Sequence, residues 1–409
     1  MDNRRYYGLD ALRSSMMLLG IVLHGASFYM VERPPGMPIP TDRNNAHMFD
    51  LLFDFIHQFR MPTFFLMSGF FASLLIEKRG MWGTYKNRAA RVLAPLLVSM
   101  VTILPLAGLF AADFMLSARF GTHHFLPDRM ESRILDREIG EAMVAAGAPV
   151  GHVPLLHLWF LYYLCFFYLL VPLCRLLVCF SRPYEAELRR LGSTPLTALL
   201  FSLLTALSLW PFRGGQGIEG VAFLMPHVPS LIYFGMFFVC GYVFHAYREI
   251  LDTAQRHVLS FAVAASILFP LSLVLGHLDR ADAGPGSYTH LMAVLVQGLS
   301  IWALIYLLIG VTQRFFDYES PWILYVSQSS YWVYLTHLPV ICLAAWWMVQ
   351  YDLPATFKFL CVCSFTTIVC FITYHYVVQK TWVSVFLNGK RFSMSWPWQG
   401  QPLQPIVDR

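Results

Sequence analysis

Apolar residues in this chain fall into runs of about twenty, separated by short breaks rich in Pro, Gly and charged side chains. A helix of that length matches a hydrocarbon core of roughly 30 Å. Ten such runs are readable, near residues 11–31, 52–77, 90–112, 155–180, 194–212, 226–247, 258–276, 288–312, 323–349 and 356–379. The run near 194–212 is the weakest, because Trp210-Pro211 ends it early. The pattern predicts an all-α integral membrane protein, a polytopic bundle of about ten transmembrane helices. A basic Arg4-Arg5 pair before the first run resembles the start of a signal peptide. No small-residue cleavage site follows, and the run from Ala11 to Met30 is long enough to span, so it is expected to stay as the first helix.

Composition agrees with the pattern. The 409 residues are 57% hydrophobic and 13% charged, with a mean hydropathy of +0.55, whereas soluble domains carry roughly 25% charged residues. No polar stretch is long enough for an independent soluble domain, so residues 1–385 read as one membrane domain and 386–409 as a cytoplasmic tail, disordered or interfacial. All eight cysteines lie in apolar runs with no CxxC or Cys/His ligand spacing, which points away from disulfides and from a metal site.

The net charge of +5 takes its meaning from its distribution between loops rather than from a nucleic-acid partner. With the N-terminus inside, seventeen Lys and Arg fall in inside segments and eight in outside segments, among them Arg33, Arg43, Arg119 and Arg213. The outside basics are interleaved with acids such as Asp128, Glu131, Asp136 and Glu138. The positive-inside rule then gives an even number of spans with both termini cytoplasmic. Two outside segments, 32–51 and 113–154, are long and rich in Pro, Gly, His and charge. They read equally as covers over an extracytoplasmic opening and as variable surface loops.

Ionisable residues inside spans are costly and mark functional candidates. On the first helix Arg13 and His24 are eleven residues apart, almost three whole turns, so they share a face about 16 Å long. Arg13 can instead snorkel or pair with Asp10, and a lone buried His can be a satisfied interhelical contact. The second helix carries His57 and Arg60 at i, i+3, then Pro62, which can open the helix toward a cavity. Its Ser68-Gly69 pair serves either a site or close helix approach. Arg88 and Arg91, spaced i, i+3 at a helix start, can converge on one multivalent anion; they also serve as ordinary inside charges. His157 opens another span. Tyr334 and His337 are i, i+3 neighbours with Ser327 and Ser330 on nearby turns, while His375 lies in an aromatic stretch and reads as structural. Imidazoles thus outnumber carboxylates inside the spans, which disfavours an ion pump and suits chemistry with an imidazole base and a bound anion.

Taken in order, these pieces resemble the membrane acyltransferase family 3. The resemblance rests on Arg13 and His24, on the Phe59–Phe70 pattern Phe-Arg-Met-Pro-x-Phe-Phe-x-x-Ser-Gly-Phe, on Arg88-x-x-Arg91, and on Tyr334-Leu-Thr-His337-Leu-Pro. Within the family the chain is similar to the glucan biosynthesis branch. That likeness covers Leu9–Arg13, Phe53–Met61, His157-Leu-Trp-Phe-Leu and Phe386-Leu-Asn-Gly-Lys390; the outer loops carry none of it.

The resemblance implies an enzyme of the bacterial inner membrane that moves an acyl group, succinyl by the branch likeness, from cytoplasmic acyl-CoA to hydroxyls of a periplasmic glucan. No permanently bound cofactor is expected; acyl-CoA (succinyl-CoA by the same likeness) is a co-substrate. Arg88 and Arg91 would hold CoA phosphates and Arg13 would guide the donor. His24 would be the general base, with His337 as the alternative base or, with Tyr334, an oxyanion partner. Arg60 and His57 would meet a succinyl carboxylate, and Ser68 and His157 complete the expected substrate-binding set. Two other readings stand beside it: an O-acetyltransferase of another envelope polysaccharide, and a transporter or flippase of an anionic substrate.

Overall fold

The structure is a computed structural model that describes residues 5–32, 41–121, 129–145, 155–215, 224–281, 287–392 and 396–399. Helices form at all ten predicted stretches, and no β-strand occurs among the described residues. In chain order they are α1 (Tyr7–Ser27), α2 (His47–Arg88), α3 (Ala94–Val101), α4 (Ile103–Phe120), α5 (Arg129–Ala145), α6 (Trp159–Leu169), α7 (Val171–Ser181), α8 (Glu185–Gly192) and α9 (Leu196–Leu209). The second half holds α10 (Val228–Ala246), α11 (Glu249–Arg256), α12 (Val258–Ala281), α13 (Tyr288–Phe315), α14 (Pro321–Val349), α15 (Ala355–Thr373) and α16 (Trp382–Asn388). Single π-helical turns join α2 to α3 (Ala89–Leu93) and follow α15 (Tyr374–Val378).

Among the described residues, seven helical stretches are long and apolar enough to cross a membrane, and eight if the bent pair Leu156–Leu169 and Val171–Gly192 makes one span. This is fewer than ten for definite reasons. The second and third expected spans are redivided rather than lost, as His47–Val101 and Ile103–Phe120, with Gly80 breaking the helical path of the first at φ 68° and ψ 177°. The α9 helix has only 14 residues, as the Trp210-Pro211 stop foretold, and α1 is long enough but too polar to qualify. The expected outer segment 113–154 is also partly regular: α4 runs on to Phe120, and α5 forms within it. Its remainder, 122–128 and 146–154, lies outside the described residues, as do 33–40 of the other outer segment and most of the tail beyond residue 392.

Lipid-facing surfaces are visible as apolar stripes. On α12 Leu259, Val263, Ile267, Leu271, Val274 and Leu278 are all exposed, at spacings of three or four that keep them on one side of the helix. Such a stripe would be untenable in water and is ordinary against acyl chains. Inside the bundle, small residues let helices touch. A Cβ on Gly69 would stand 1.9 Å from the Phe238 carbonyl oxygen, and one on Gly241 would stand 1.8 Å from that of Leu66. The α2 and α10 backbones therefore meet directly, the small-residue contact known from membrane helices. Gly69 thus serves packing, and the Ser68 hydroxyl donates back to the Phe64 carbonyl at 2.9 Å.

The bundle has two ends. At one, Gly8 at the start of α1 donates its N–H to Asp317 beyond α13 at 3.0 Å. At the other, Lys358 of α15 binds Asp42 at 2.8 Å with both side chains fully buried and also donates to Asn44 at 3.1 Å. A second buried pair, His290 with Asp279 at 3.0 Å, ties α13 to α12 at that end. Asp279 also accepts the Gly214 N–H at 2.6 Å. Carboxylates thus enter the bundle at helix ends, positions that a count over span centres passes by. Near the first end, His375 stacks on Trp396 at 3.6 Å between ring centroids, so part of the predicted tail packs against the bundle.

Candidate active site

Four of the predicted polar residues meet between α1, α2, α14 and the turn before α6. The His337 ring lies 5.3 Å from that of His24 and 5.3 Å from that of His157. His337 is fully buried and His157 nearly so, while His24 is partly open. Backbone carbonyls only accept hydrogen bonds, and this settles two tautomers. Nδ1 of His337 donates to the Tyr334 carbonyl at 2.7 Å, so its Nε2 keeps the lone pair and has no hydrogen-bond partner. Nε2 of His157 donates to the Leu335 carbonyl at 3.0 Å, leaving its Nδ1 unpartnered. The His24 ring has no hydrogen-bond partner among the described residues, so either nitrogen is open to a ligand.

Arg60 supplies the charge. Its guanidinium is buried, with 6% of the residue exposed; Nε donates to the Met16 carbonyl of α1 at 2.8 Å and Nη1 lies 3.8 Å from the Met61 sulfur. No carboxylate forms an ion pair with it among the described residues. A buried cation without an anion is expensive, and sites where such groups persist are those that bind one. The guanidinium fits only because position 20 is glycine. A Cβ there would lie 2.5 Å from Nη2 of Arg60 and 3.4 Å from Nε2 of His337. Gly20 therefore holds open the space onto which cation and imidazole converge. Sequence reading passed over it, although a glycine one turn before His24 on the same helix was a usable signal.

The path into α6 is strained. Leu156 takes φ 46°, a region costing a residue with a Cβ roughly 1–2 kcal/mol, and the Tyr334 hydroxyl donates to the His157 carbonyl at 2.7 Å. That bond clamps the turn presenting His157. It also occupies the Tyr334 hydroxyl, which in this arrangement acts as a positioning group for the imidazoles.

The remaining candidates lie elsewhere. His57 stacks on Phe53 at 5.3 Å, one turn from Arg60 toward the Lys358 end of the bundle. Arg13 donates to Ser327 at 3.0 Å, lies 3.4 Å from Asp10 and covers the Phe71 ring. It shares the His24 face but sits about three turns, roughly 16 Å, away. Arg88 donates to the Tyr168 hydroxyl at 3.3 Å, whereas Arg91 donates to the Val385 and Phe386 carbonyls of α16. The two arginines were expected to converge on one anion. The wider π-turn at 89–93 alters the register that would put i and i+3 on one face, and they turn to different neighbours.

Three imidazoles with ring nitrogens unpartnered among the described residues, set around one buried cation in a bundle faced by apolar stripes, form an arrangement that can move a proton beside a bound anion. A family profile described as an acyltransferase domain matches residues 6–375, and the chain belongs to that acyltransferase family. It is similar to the glucans biosynthesis protein C of Escherichia coli strain K12, at 22% identity over 405 residues and 95% of each chain. The protein of the same name from E. coli O139:H28 is 22% identical over 408 residues, again 95% of each chain. No solved structure matches the chain.

Proposed function

We propose that this membrane acyltransferase moves an acyl group, succinyl in the favoured case, from acyl-CoA to a hydroxyl of an envelope glucan. The observation that carries the reading is the buried Arg60, without a carboxylate partner among the described residues, beside His24 and His337. His24 is the only one of the three clustered imidazoles with both ring nitrogens uncommitted, and it is partly open, so it is the base. It takes the proton of the sugar hydroxyl as the oxygen attacks the thioester carbonyl. The C–S bond then breaks, and the imidazolium returns the proton to the departing CoA thiolate. A positioned imidazole contributes typically 10²–10⁴-fold to such a step. Arg60, with His57 one turn away, meets the distal carboxylate of the succinyl group.

In this reading both termini are cytoplasmic and the protein resides in the inner membrane. Arg88, Arg91 and Arg13 then lie toward the donor side, while His24 and His57 lie toward the acceptor side. The glucan acceptor is taken from the name of the 22% identical relatives, and the loop-charge asymmetry supports the orientation. The test uses proteoliposomes supplied with succinyl-CoA labelled in the acyl group, with glucan on the opposite side. Label should become covalently attached to glucan, and His24→Ala should lower that rate by at least about 10². Succinate or glucan crossing the bilayer unmodified would replace the enzyme with a transporter.

A further inference from the structure

Acyl transfer with His24 as base leaves one buried lone pair without a task. His337 of α14 is fully buried, and its Nδ1–H is held by two carbonyls of its own helix, Tyr334 at 2.7 Å and Val333 at 3.1 Å. Nε2, on the far side of the ring, is therefore a bare acceptor, and it has no hydrogen-bond partner among the described residues. A buried acceptor in that state carries the full cost of its lost hydration, so a ring fixed this firmly calls for a donor.

The direction of the lone pair is readable from α1. A Cβ on Gly20 would lie 3.4 Å from Nε2, so Nε2 rests against the surface of α1 at that position. Side chains on a helix lean toward its N-terminus and cover the turn before their own Cα. His24, one turn after Gly20, thus tilts its ring over the same patch. The two rings stand 5.3 Å apart between centroids at 37°. No hydrogen bond joins them in this structure, and a neutral His24 has a single N–H to spend. Chemistry supplies the donor. When His24 removes the sugar proton it becomes an imidazolium with an N–H on each nitrogen, one toward the sugar oxygen and one in need of an acceptor. Arg60 cannot serve, since a guanidinium has donors only.

We infer that His337 is a positioning residue whose Nε2 accepts the second N–H of His24 as the imidazolium forms, the part a carboxylate plays in a Ser-His-Asp triad. The inference rests on the acyl-transfer reading with His24 as base. His337 neither gains nor loses a proton. The N–H that it accepts stays on His24, while the proton taken from the sugar passes to the CoA thiolate as the C–O bond forms and the C–S bond breaks. Tyr334 stands behind the arrangement: its carbonyl holds the His337 ring, and its hydroxyl is tied to the His157 carbonyl at 2.7 Å. An imidazole in place of a carboxylate suits a base beside a buried guanidinium. A carboxylate there would pair with Arg60 and take the charge that the acyl donor needs.

The test uses the proteoliposome assay with labelled succinyl-CoA and two amide variants. His337→Asn keeps a donor for the Tyr334 carbonyl but is too short to reach the Nε2 position, whereas His337→Gln places an amide oxygen there. His337→Asn should lower kcat about tenfold to hundredfold, the scale of one hydrogen bond to a charged group, with KM for succinyl-CoA unchanged within about twofold. His337→Gln should recover most of the rate. In a His24→Ala background, where no imidazolium forms, His337→Asn should cost nothing further. Where the Asn variant does not fold, His337→Leu carries the same prediction. A parent protein that labels glucan while His337→Asn keeps its kcat, or loses as much without His24 as with it, overturns the positioning role alone; equal losses in the Asn and Gln variants do the same. A parent protein that attaches no label to glucan overturns the acyl-transfer reading, and the role of His337 with it.

Discussion

At the scale of single residues, the candidate site depends on what is missing around Arg60. The guanidinium is anchored on one side by the Met16 carbonyl and faces an opening made by Gly20, with no carboxylate paired to it among the described residues. Two roles for that charge differ in outcome. If it meets the distal carboxylate of a succinyl donor, Arg60→Gln should cut kcat/KM for succinyl-CoA by about 10²-fold, the scale of a lost buried charge contact of 2–5 kcal/mol, and largely spare acetyl-CoA. Equal losses with both donors would assign it to the developing oxyanion. Parallel steady-state assays with the two thioesters decide the matter. His24, Arg60, His157 and His337 were legible in the sequence because ionisable side chains stand out in apolar runs. Gly20 left only a weak signal, its position one turn before His24, since its contribution is space. The Tyr334 hydroxyl was legible as a polar group, but its engagement with the His157 carbonyl is a tertiary fact that no spacing encodes.

At the scale of elements, helix identity was readable nearly everywhere and helix continuity was not. Runs of apolar residues specify helices in a bilayer because every backbone group must be bonded within its own segment. The same runs are silent about where segments divide, as between His47–Val101 and Ile103–Phe120, or whether a π-turn intervenes, as at 89–93. That single turn separates the directions of Arg88 and Arg91. The close crossing of α2 and α10 carries its own prediction. Gly241→Val would drive side-chain atoms into the Leu66 backbone, where even a Cβ has only 1.8 Å, and backbone cannot yield as a flexible side chain can. Overpacking of this kind typically costs about 1–3 kcal/mol. Thermal unfolding in detergent should show a marked drop in midpoint, while Gly108→Ala, in open space, leaves it unchanged.

For the whole molecule, the two ends of the bundle are closed by different means. One is joined by the Gly8 N–H bond to the Asp317 carboxylate and the His375–Trp396 stack, the other by the buried Lys358–Asp42 pair and the Asp279–His290 pair. Lys358→Met strands a buried carboxylate and should destabilise the protein by about 3–5 kcal/mol. Adding Asp42→Leu to that variant should recover most of the loss, a coupling that a double-mutant cycle in chemical denaturation reads directly. Recovery failing in the double variant would mean that Asn44 and the helix-end hydrogen bonds, not charge pairing, hold that end. Fold class and family were available from sequence alone, because they depend on hydropathy and a few ordered motifs. The end-to-end fastening was not, since Asp42 and Lys358 are 316 residues apart and each reads locally as an ordinary loop or helix-end charge.

The uncompensated guanidinium at position 60 also makes the protein a reporter on its own surroundings. A buried guanidinium with no ion-pair partner among the described residues is costly, and an anion that pairs with it stabilises the folded state. Binding to the native state alone raises stability by about 2.7 kcal/mol at one hundred times Kd. Succinate should therefore lift the melting temperature of the purified protein, glucose of equal concentration should do so far less, and Arg60→Gln should melt at the same temperature with or without the dianion. The melting curve then becomes an assay for which acyl group the protein was shaped around, one that needs no turnover at all.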